Sequence, residues 1–502
     1  MALVYPNMFG EFFPSIGLTY LGTVLQEEHD VKVLDLTATG KNWPAVVRRF
    51  ISKFSPRVVG LSSLTFNHYW AVKVAHLVKQ VDPSVLVVFG GVHSMISPRS
   101  VLEQPPVDVV CTGEGELAFP ELLQEVTDGN REFPGVRGFY YKGRDGKIHE
   151  NPPAPLVEDL DALPFPNWDL WRVDKYLHFQ HAQGELPMLG SRGCVYDCSF
   201  CSNHRLRQVL CGKYLRVRSP KNVVAEVEYQ RQKYGKRFSN VYFWDENFLG
   251  GSKRAFREFC ELYRVKGLHR KVIWSCNIRA DRVDLDWAKT ARRAGCFYVR
   301  FGVESGNDFI RNRVLNKNLS EEAVFKARKA LEEADVLLRV NMMLGVPGES
   351  SNTLRESVSF VKRLKPDNYF FSLYQPLPGT RLLELIPRLG GEVEEERWRE
   401  NFDFWMKSIV RTRYLSPKQL VNFRRRVYLG AMASFFFEGL RARHLRFLRD
   451  AFYFLKHWHL ENKIDLIKLA TFTILRYKFE DWKRRYVSEL LREDRTLSGS
   501  RK

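Results

Sequence analysis

Residues 191–203 read SRGCVYDCSFCSN and place three thiols, Cys194, Cys198 and Cys201, at C-x3-C-x2-C directly after a strand-like run. Zinc sites usually close four ligands, commonly arranged as pairs, and no second pair lies nearby. Thiolates are soft ligands suited to iron–sulfur clusters, and three on one loop leave one corner of a cubane 4Fe-4S cluster without a protein ligand. That open iron is what a chelating substrate would need. Phe200, before the last cysteine, reads either as ordinary core or as an aromatic shielding the cluster or stacking on an adenine. The other cysteines, Cys111, Cys211, Cys260, Cys276 and Cys296, are scattered among apolar neighbours, where they read as small buried hydrophobes.

Working outward, the triplet opens a second series of alternating strand-like and helical segments. It runs through NVYFWDENF (240–248), VIWSCNIRA (272–280), YVRFGVESG (298–306), RVNMMLGVPGE (339–349) and NYFFSLYQP (368–376). Repeated strand, loop and helix units predict a full or partial parallel barrel with its chemistry on loops at the strand C-termini. Upstream, apolar runs such as VKVLDL, RVVGLSS, VLVVFGG and VDVVCTG alternate with single amphipathic helices, which predicts a parallel sheet covered on both faces. The fold class is therefore α/β: a doubly wound Rossmann-like domain over 1–135, a hairpin and Pro-rich linker over 136–185, a partial β/α barrel over 186–395 and a basic, aromatic helical region over 396–502. In the first domain, ligands are expected beyond the strand ends, after Leu34, after Gly60 and at Gly90 and Gly91.

The triplet with its aromatic resembles the signature of the radical S-adenosylmethionine superfamily. The likeness extends to VYFWDENFLG, WSCNIRADRVD, FYVRFGVESGND, MMLGVPGES and YQPLPGTRL, which look like successive strand-end motifs of that superfamily's cobalamin-binding branch. The resemblance implies that Cys194, Cys198 and Cys201 bind the cluster and are catalytic, its open iron chelating the methionine moiety of S-adenosylmethionine. It also implies that Asp245, Glu246 and Asn247 meet the methionine amino group, that Arg279 pairs with a carboxylate, and that Glu304 and Ser305 reach ribose hydroxyls. A reduced cluster would then cleave S-adenosylmethionine to a 5′-deoxyadenosyl radical that attacks an unactivated C–H bond.

The first domain resembles the cobalamin-binding domain of the same branch through PSIGLTYLGTVL, VVGLSSLTF, VVFGGVHS and VDVVCTGEGE. Gly90 and Gly91 allow a close backbone approach to a bulky ligand, Ser62, Ser63 and Thr65 offer hydroxyls, and His93 stands nearby. Many cobalamin domains carry D-x-H-x-x-G, whose histidine replaces the base beneath cobalt. Here DLTATG (35–40) has Thr37 at that position, so a bound cobalamin is expected to lack a histidine as lower ligand. C-methylation of a small-molecule or lipid-like substrate is the first expectation. Oxidative cyclisation or rearrangement is the alternative, and an electron donor of flavodoxin or ferredoxin type is implied. A tRNA methylthiotransferase is disfavoured because the first domain has only Cys111, and a non-catalytic corrinoid or iron–sulfur carrier because the WDENF, IRAD and GVES motifs are present.

Composition fits this reading. The chain has 502 residues, 44% hydrophobic, and its eight unevenly spaced cysteines are too few for a disulfide framework. The start, MALVYP, has no basic leader and no apolar run reaches spanning length, so a cytoplasmic protein is expected. Between Arg411 and Lys502 stand 22 Lys or Arg against 9 Asp or Glu, which holds most of the net charge of +20. This stretch also holds 16 aromatic residues. It reads as a packed helical cap first, as a contact to an anionic membrane surface second, and as a nucleic-acid surface last.

Overall fold

The computed structural model describes residues 1–8, 13–37, 39–179, 185–394 and 407–441, together with Trp482, Arg485, Tyr486 and Glu489. The apolar runs of the first region form β1 (Ala2–Tyr5), β2 (Lys32–Asp35), β3 (Val58–Ser62), β4 (Leu86–Gly90) and β5 (Val109–Cys111). All five are parallel, in the order β2-β1-β3-β4-β5. Nearly every residue of β1, β3, β4 and β5 is buried because helices cover both faces of the sheet, the pattern the continuous apolar runs predicted. The chain leaves β1 towards β2 on one side and places β3 on the other, so the crevice of this sheet opens between the C-terminal ends of β1 and β3.

The hairpin read in the connector belongs to this sheet. Strands β6 (Phe139–Lys142) and β7 (Ile148–Glu150) add to it antiparallel, with Val110 opposite Tyr140. Phe139 and Tyr141 turn inward and are buried, and that period-2 alternation is what draws the hairpin onto β5. The sheet thus continues through Glu150, beyond the 1–135 expected for the first domain.

The second region begins with β8 (Glu185–Met188). The short strands β9 (Ser191–Arg192) and β10 (Arg216–Val217) pair antiparallel on either side of the cysteine loop. Five longer runs follow as β11 (Asn240–Phe243), β12 (Ile273–Asn277), β13 (Cys296–Glu304), β14 (Leu337–Leu344) and β15 (Asn368–Leu373). With β8 they form one six-stranded all-parallel sheet in sequential order, the expected partial barrel. Its apolar core lies outside the strands: Val241, Phe243, Trp274, Phe301, Val340 and Phe371 are fully or almost fully buried against the surrounding helices.

A helix spans Pro417–Arg441 and starts where the Ser416–Pro417 signal placed it. Further on, Trp482 and Tyr486 pack against Phe297, Tyr298 and Leu337 at the outer face of the barrel, in accord with the packed-cap reading at that point. Most of the stretch on which the membrane and nucleic-acid readings rest, 442–481 and 490–502, lies outside the described residues. Among the described residues no helix is long and apolar enough to cross a membrane.

Candidate functional site

The cysteine loop is held by its neighbours on three sides. Gly193 opens it at φ +90°, a backbone conformation that favours glycine, and a Cβ there would overlap the Tyr214 carbonyl. Ser199 pins the loop to the turn beyond β13, its amide donating to the Leu315 carbonyl at 3.0 Å and its hydroxyl to the Val314 carbonyl at 2.6 Å. Asn203 Nδ2 donates to Cys201 Sγ at 3.2 Å, and Asn203 Oδ1 in turn accepts from the Tyr214 hydroxyl.

Burial pushes the Cys201 thiol up to about 11 and raises Cys194 as well, with the neighbouring thiols acting in the same direction. Each of these sulfurs therefore lies within electrostatic reach of the others, and metal binding here would have to release their protons. Among the described residues no three His, Cys, Asp or Glu side chains close on a point as they would around a single ion. Three thiols on one loop within electrostatic reach of one another, with an amide donating to one of them, suit the soft donor set of an iron–sulfur cluster.

The acidic pair after β11 divides into two roles. Asp245 is fully buried and spends both oxygens on the protein: Oδ1 accepts from the Gly190 amide at 2.8 Å, and Oδ2 accepts from the Ser191 hydroxyl at 2.6 Å and the Leu249 amide at 2.9 Å. Loss of water raises its carboxyl to about 7 despite those donors. Its geometry ties the start of the cysteine loop to β11. Glu246 is exposed and free to meet a ligand, whereas Asn247 is buried and accepts from the Arg279 amide at 3.2 Å.

Arg279 is equally engaged. It makes two bonds to Asp281, donates to the carbonyls of Lys317 and Asn318, and lies 3.9 Å from the centre of the Tyr196 ring. The structure thus gives the carboxylate expected of Arg279 from within the chain. Glu304 ends β13 at φ +71°, an uncommon conformation for a residue with a side chain, and pairs at 3.2 Å with Lys317. Lys317 Nζ also sits 5.5 Å from the Phe200 ring centre and within reach of Cys194 and Cys198. Ser305 is fully buried among Ser357 and Asn307. Lys317 was not singled out in the sequence because it stands in a loop after a short helical turn, with no motif around it.

In the first sheet the loops after β3 and β4 interlock. The Ser63 amide donates to the Gly90 carbonyl at 2.7 Å and the His93 amide to the Ser63 carbonyl at 3.1 Å. Gly91 has φ +95°, and a Cβ there would stand 2.7 Å from the Ser63 carbonyl oxygen. Ser63 and Thr65 hydroxyls hold the Nδ1 atoms of His68 and His93 at 2.9 and 3.1 Å, and the two rings lie 4.2 Å apart. Burial lowers both imidazoles, His68 to about 4 and His93 to about 3, so both are neutral near pH 7. Thr37 is buried beside Asp35, whose carboxylate accepts from the Thr37 amide at 2.9 Å and the Tyr176 hydroxyl at 2.5 Å. Ser62, Gly90 and Gly91 line a cavity of ≈ 240 Å³ together with Gly113, Glu116 and, from the second region, Arg192.

Arg192 joins the two regions. Two residues before Cys194, it reaches Glu114 at 3.0 Å and Glu116 at 2.7 Å, both just beyond β5. Arg216 on the partner strand β10 also binds Glu114, at 2.7 Å. The C-terminal ends of the first sheet and the strand leading into the cysteine loop therefore share one largely buried charge cluster.

Comparison with known proteins bears on both halves. The chain matches the B12 binding domain over residues 6–123 and the Radical SAM superfamily over residues 188–361. It is 32% identical over 382 residues to the uncharacterized methyltransferase PH0819 of Pyrococcus horikoshii, covering 75% of this chain and 79% of that one. It is 28% identical over 354 residues to the anaerobic magnesium-protoporphyrin IX monomethyl ester cyclase of Rubrivivax gelatinosus, covering 69% of this chain and 61% of the cyclase. The radical S-adenosylmethionine methyltransferase TsrM from Kitasatospora setae, solved with cobalamin and a [4Fe-4S] cluster, shares its fold at a TM-score of 0.62 and 21% identity, over 77% of each chain. The cofactors of such a chain are a 4Fe-4S cluster, S-adenosylmethionine and cobalamin. With both domain matches and a relative at this identity over three quarters of its length, the chain is an enzyme of the cobalamin-dependent radical S-adenosylmethionine family.

Proposed function

We propose that this enzyme methylates an unactivated carbon of a small-molecule substrate. The observation that carries the reading is the Arg192–Glu114–Glu116 cluster, which supports a cysteine loop set against the strand ends of the cobalamin-binding sheet. When bound, the cluster supplies the electron that cleaves S-adenosylmethionine and cobalamin supplies the methyl group. The protein's part is to hold and orient. Cys194, Cys198 and Cys201 would hold the cluster, with the Tyr214–Asn203 relay fixing the last sulfur. Glu246 would meet the methionine ammonium, a charge-assisted contact that Asp245, Asn247 and Arg279 support by fixing the loops around it. Lys317 would meet the methionine carboxylate, with Glu304 as its present partner. Ser62, Thr65, Gly90, Gly91 and His93 would face the corrinoid, and with Thr37 at the histidine position of D-x-H-x-x-G that motif would offer it no imidazole. The electron would come from a flavodoxin- or ferredoxin-type donor.

Methyl transfer is preferred to cyclisation because the chain spans 79% of the methyltransferase relative and 61% of the cyclase. Anaerobically reconstituted protein given S-adenosylmethionine with a deuterated methyl group should form 5′-deoxyadenosine and S-adenosylhomocysteine and pass the label to product. Replacing Cys198 with Ala should abolish 5′-deoxyadenosine; unchanged turnover in that variant would overturn the assignment, and unlabelled product would favour the cyclase reading. For a lipid-like substrate the basic aromatic stretch 411–502 would supply a surface contact, which flotation with anionic liposomes tests.

A further inference from the structure

The interior of the barrel is polar where such barrels are usually filled by branched aliphatic layers. Along β11 to β15 the residues facing the helices are the apolar, buried ones, while those facing inward include Tyr242, Asn277, Arg300, Arg339, Asn341 and Ser372. Of these only Arg300 is buried; the others keep partial exposure, so solvent reaches into the lumen.

Two arginines enter it from neighbouring strands, both within electrostatic reach of Tyr242 and Tyr298. Arg300 and Arg339 are direct register partners on β13 and β14, a like-charge pairing that costs stability when nothing neutralises it. Arg300 is 7% exposed, lies 3.6 Å from the Tyr242 ring centre and 4.7 Å from that of Tyr298, and donates to Ser275 Oγ at 3.1 Å. Arg339 donates to Asn341 Oδ1 at 3.0 Å and lies 5.1 Å from the Phe370 ring centre. Among the described residues neither arginine forms an ion pair. Glu185 at the start of β8 is within electrostatic reach of Arg300, accepts from Asn240 Nδ2 at 3.2 Å, and burial raises its carboxyl to about 7. Lys317 and Glu304 at the end of β13 neutralise each other.

The site lies below the cofactor loops. The Tyr242 hydroxyl donates to Asn277 Oδ1 at 2.8 Å, and Asn277 Nδ2 donates to the Asp245 carbonyl at 3.0 Å, so the ring that Arg300 stacks on is two hydrogen bonds, through Asn277, from the loop carrying Glu246. Phe13, from the loop after β1, caps this side by packing edge-on against Tyr242 and Trp244.

We infer that Arg300 and Arg339 bind an oxyanion of the substrate, a carboxylate or a phosphate group, inside the barrel. This rests on the enzymatic reading above and narrows its substrate to an anionic molecule whose charged end enters the lumen while the reacting carbon stays at the strand ends. Bidentate guanidinium recognition suits both groups.

Calorimetric titration of the full chain with inorganic phosphate, methylphosphonate and acetate tests the inference. Saturable binding of at least one probe, weakened tenfold or more by Arg339→Gln and by Arg300→Gln, is expected. A preference for phosphate and methylphosphonate marks a phosphoryl group, and a preference for acetate a carboxylate. Arg339 is outside the dry core, so Arg339→Gln serves even if Arg300→Gln does not fold. No saturable binding, or binding equal in wild type and Arg339→Gln, overturns the inference. Formation of 5′-deoxyadenosine by the wild type is measured separately: cleavage without oxyanion binding sinks the lumen site alone, and oxyanion binding without cleavage sinks the enzymatic reading alone.

Discussion

Arg192 Nη2 lies 2.7 Å from Glu116 Oε1, across 76 residues of sequence, from β9 to the helix that follows β5. The same guanidinium reaches Glu114, which also accepts from Arg216 and from the Val157 amide at 2.8 Å. Removing one member of a buried charge group leaves its partners desolvated and unpaired, which costs more than the pair contributed. Glu114→Gln leaves two arginines short of a carboxylate and is expected to cost about 3 kcal/mol. Glu116→Gln frees one bond of Arg192 and should cost less. Denaturant unfolding of the two variants, followed by tryptophan fluorescence, checks the order; equal midpoints would contradict it.

The cysteine triplet is legible because its three thiols fall on one loop, where spacing alone carries the chemistry. All six barrel strands were legible for a similar local reason: each is an apolar run that ends at a polar motif. What escaped are relations set by packing. Arg192, Glu114 and Glu116 stand in quoted motifs, yet nothing in their spacing says that they meet. Arg279 reads as an arginine waiting for a carboxylate, and only the folded loops bring Asp281 and the carbonyls of Lys317 and Asn318 around it. The hairpin at 139–150 is legible as a hairpin, whereas its antiparallel pairing to β5 is not, because that depends on which face of Phe139 and Tyr141 finds a partner.

His68 and His93 make stability pH-dependent. Both are lowered by burial, to about 4 and about 3, so between those values and the ordinary histidine range the unfolded chain binds protons that the folded chain does not. The linkage sign is then fixed: their contribution is present above about pH 6.5 and is lost as pH falls towards 4. His93→Leu should make the acid-side loss shallower than in wild type. Unfolding free energies measured at pH 7.0 and 5.0 give the comparison, and an unchanged difference between wild type and variant would remove the histidines from the account.

The bond from Asn203 to Cys201 Sγ should tune the cluster. A donor to a ligating sulfur stabilises the reduced, more negative state and raises the potential. Asn203→Ala is expected to shift the midpoint to more negative values with iron content retained. Tyr214→Phe, which removes the group orienting Asn203, should move it the same way by less. Spectroscopic redox titration of the reconstituted variants reads both, and a positive shift in Asn203→Ala would contradict the role.

Asp245 and Glu246 are adjacent carboxylates with opposite surroundings, and their variants should fail differently. Asp245 accepts three donors from Gly190, Ser191 and Leu249, so it can fix the loop only while both oxygens are acceptors. In Asp245→Asn one oxygen becomes an amide that faces the Leu249 N–H, two donors opposed in a dry site, which costs about 1–3 kcal/mol. The loop that enters the cysteine triplet loosens, and iron incorporation should fall before any ligand is added. Glu246 has no such duty and is exposed, so Glu246→Gln should keep its iron and instead raise the S-adenosylmethionine concentration needed for half-maximal 5′-deoxyadenosine formation. Loss of the charge alone should raise that concentration tenfold or so, the weight of one charge-assisted hydrogen bond of about 1.5 kcal/mol. Iron content and the concentration dependence, measured on both variants, separate the two; iron loss in Glu246→Gln with none in Asp245→Asn would reverse the assignment.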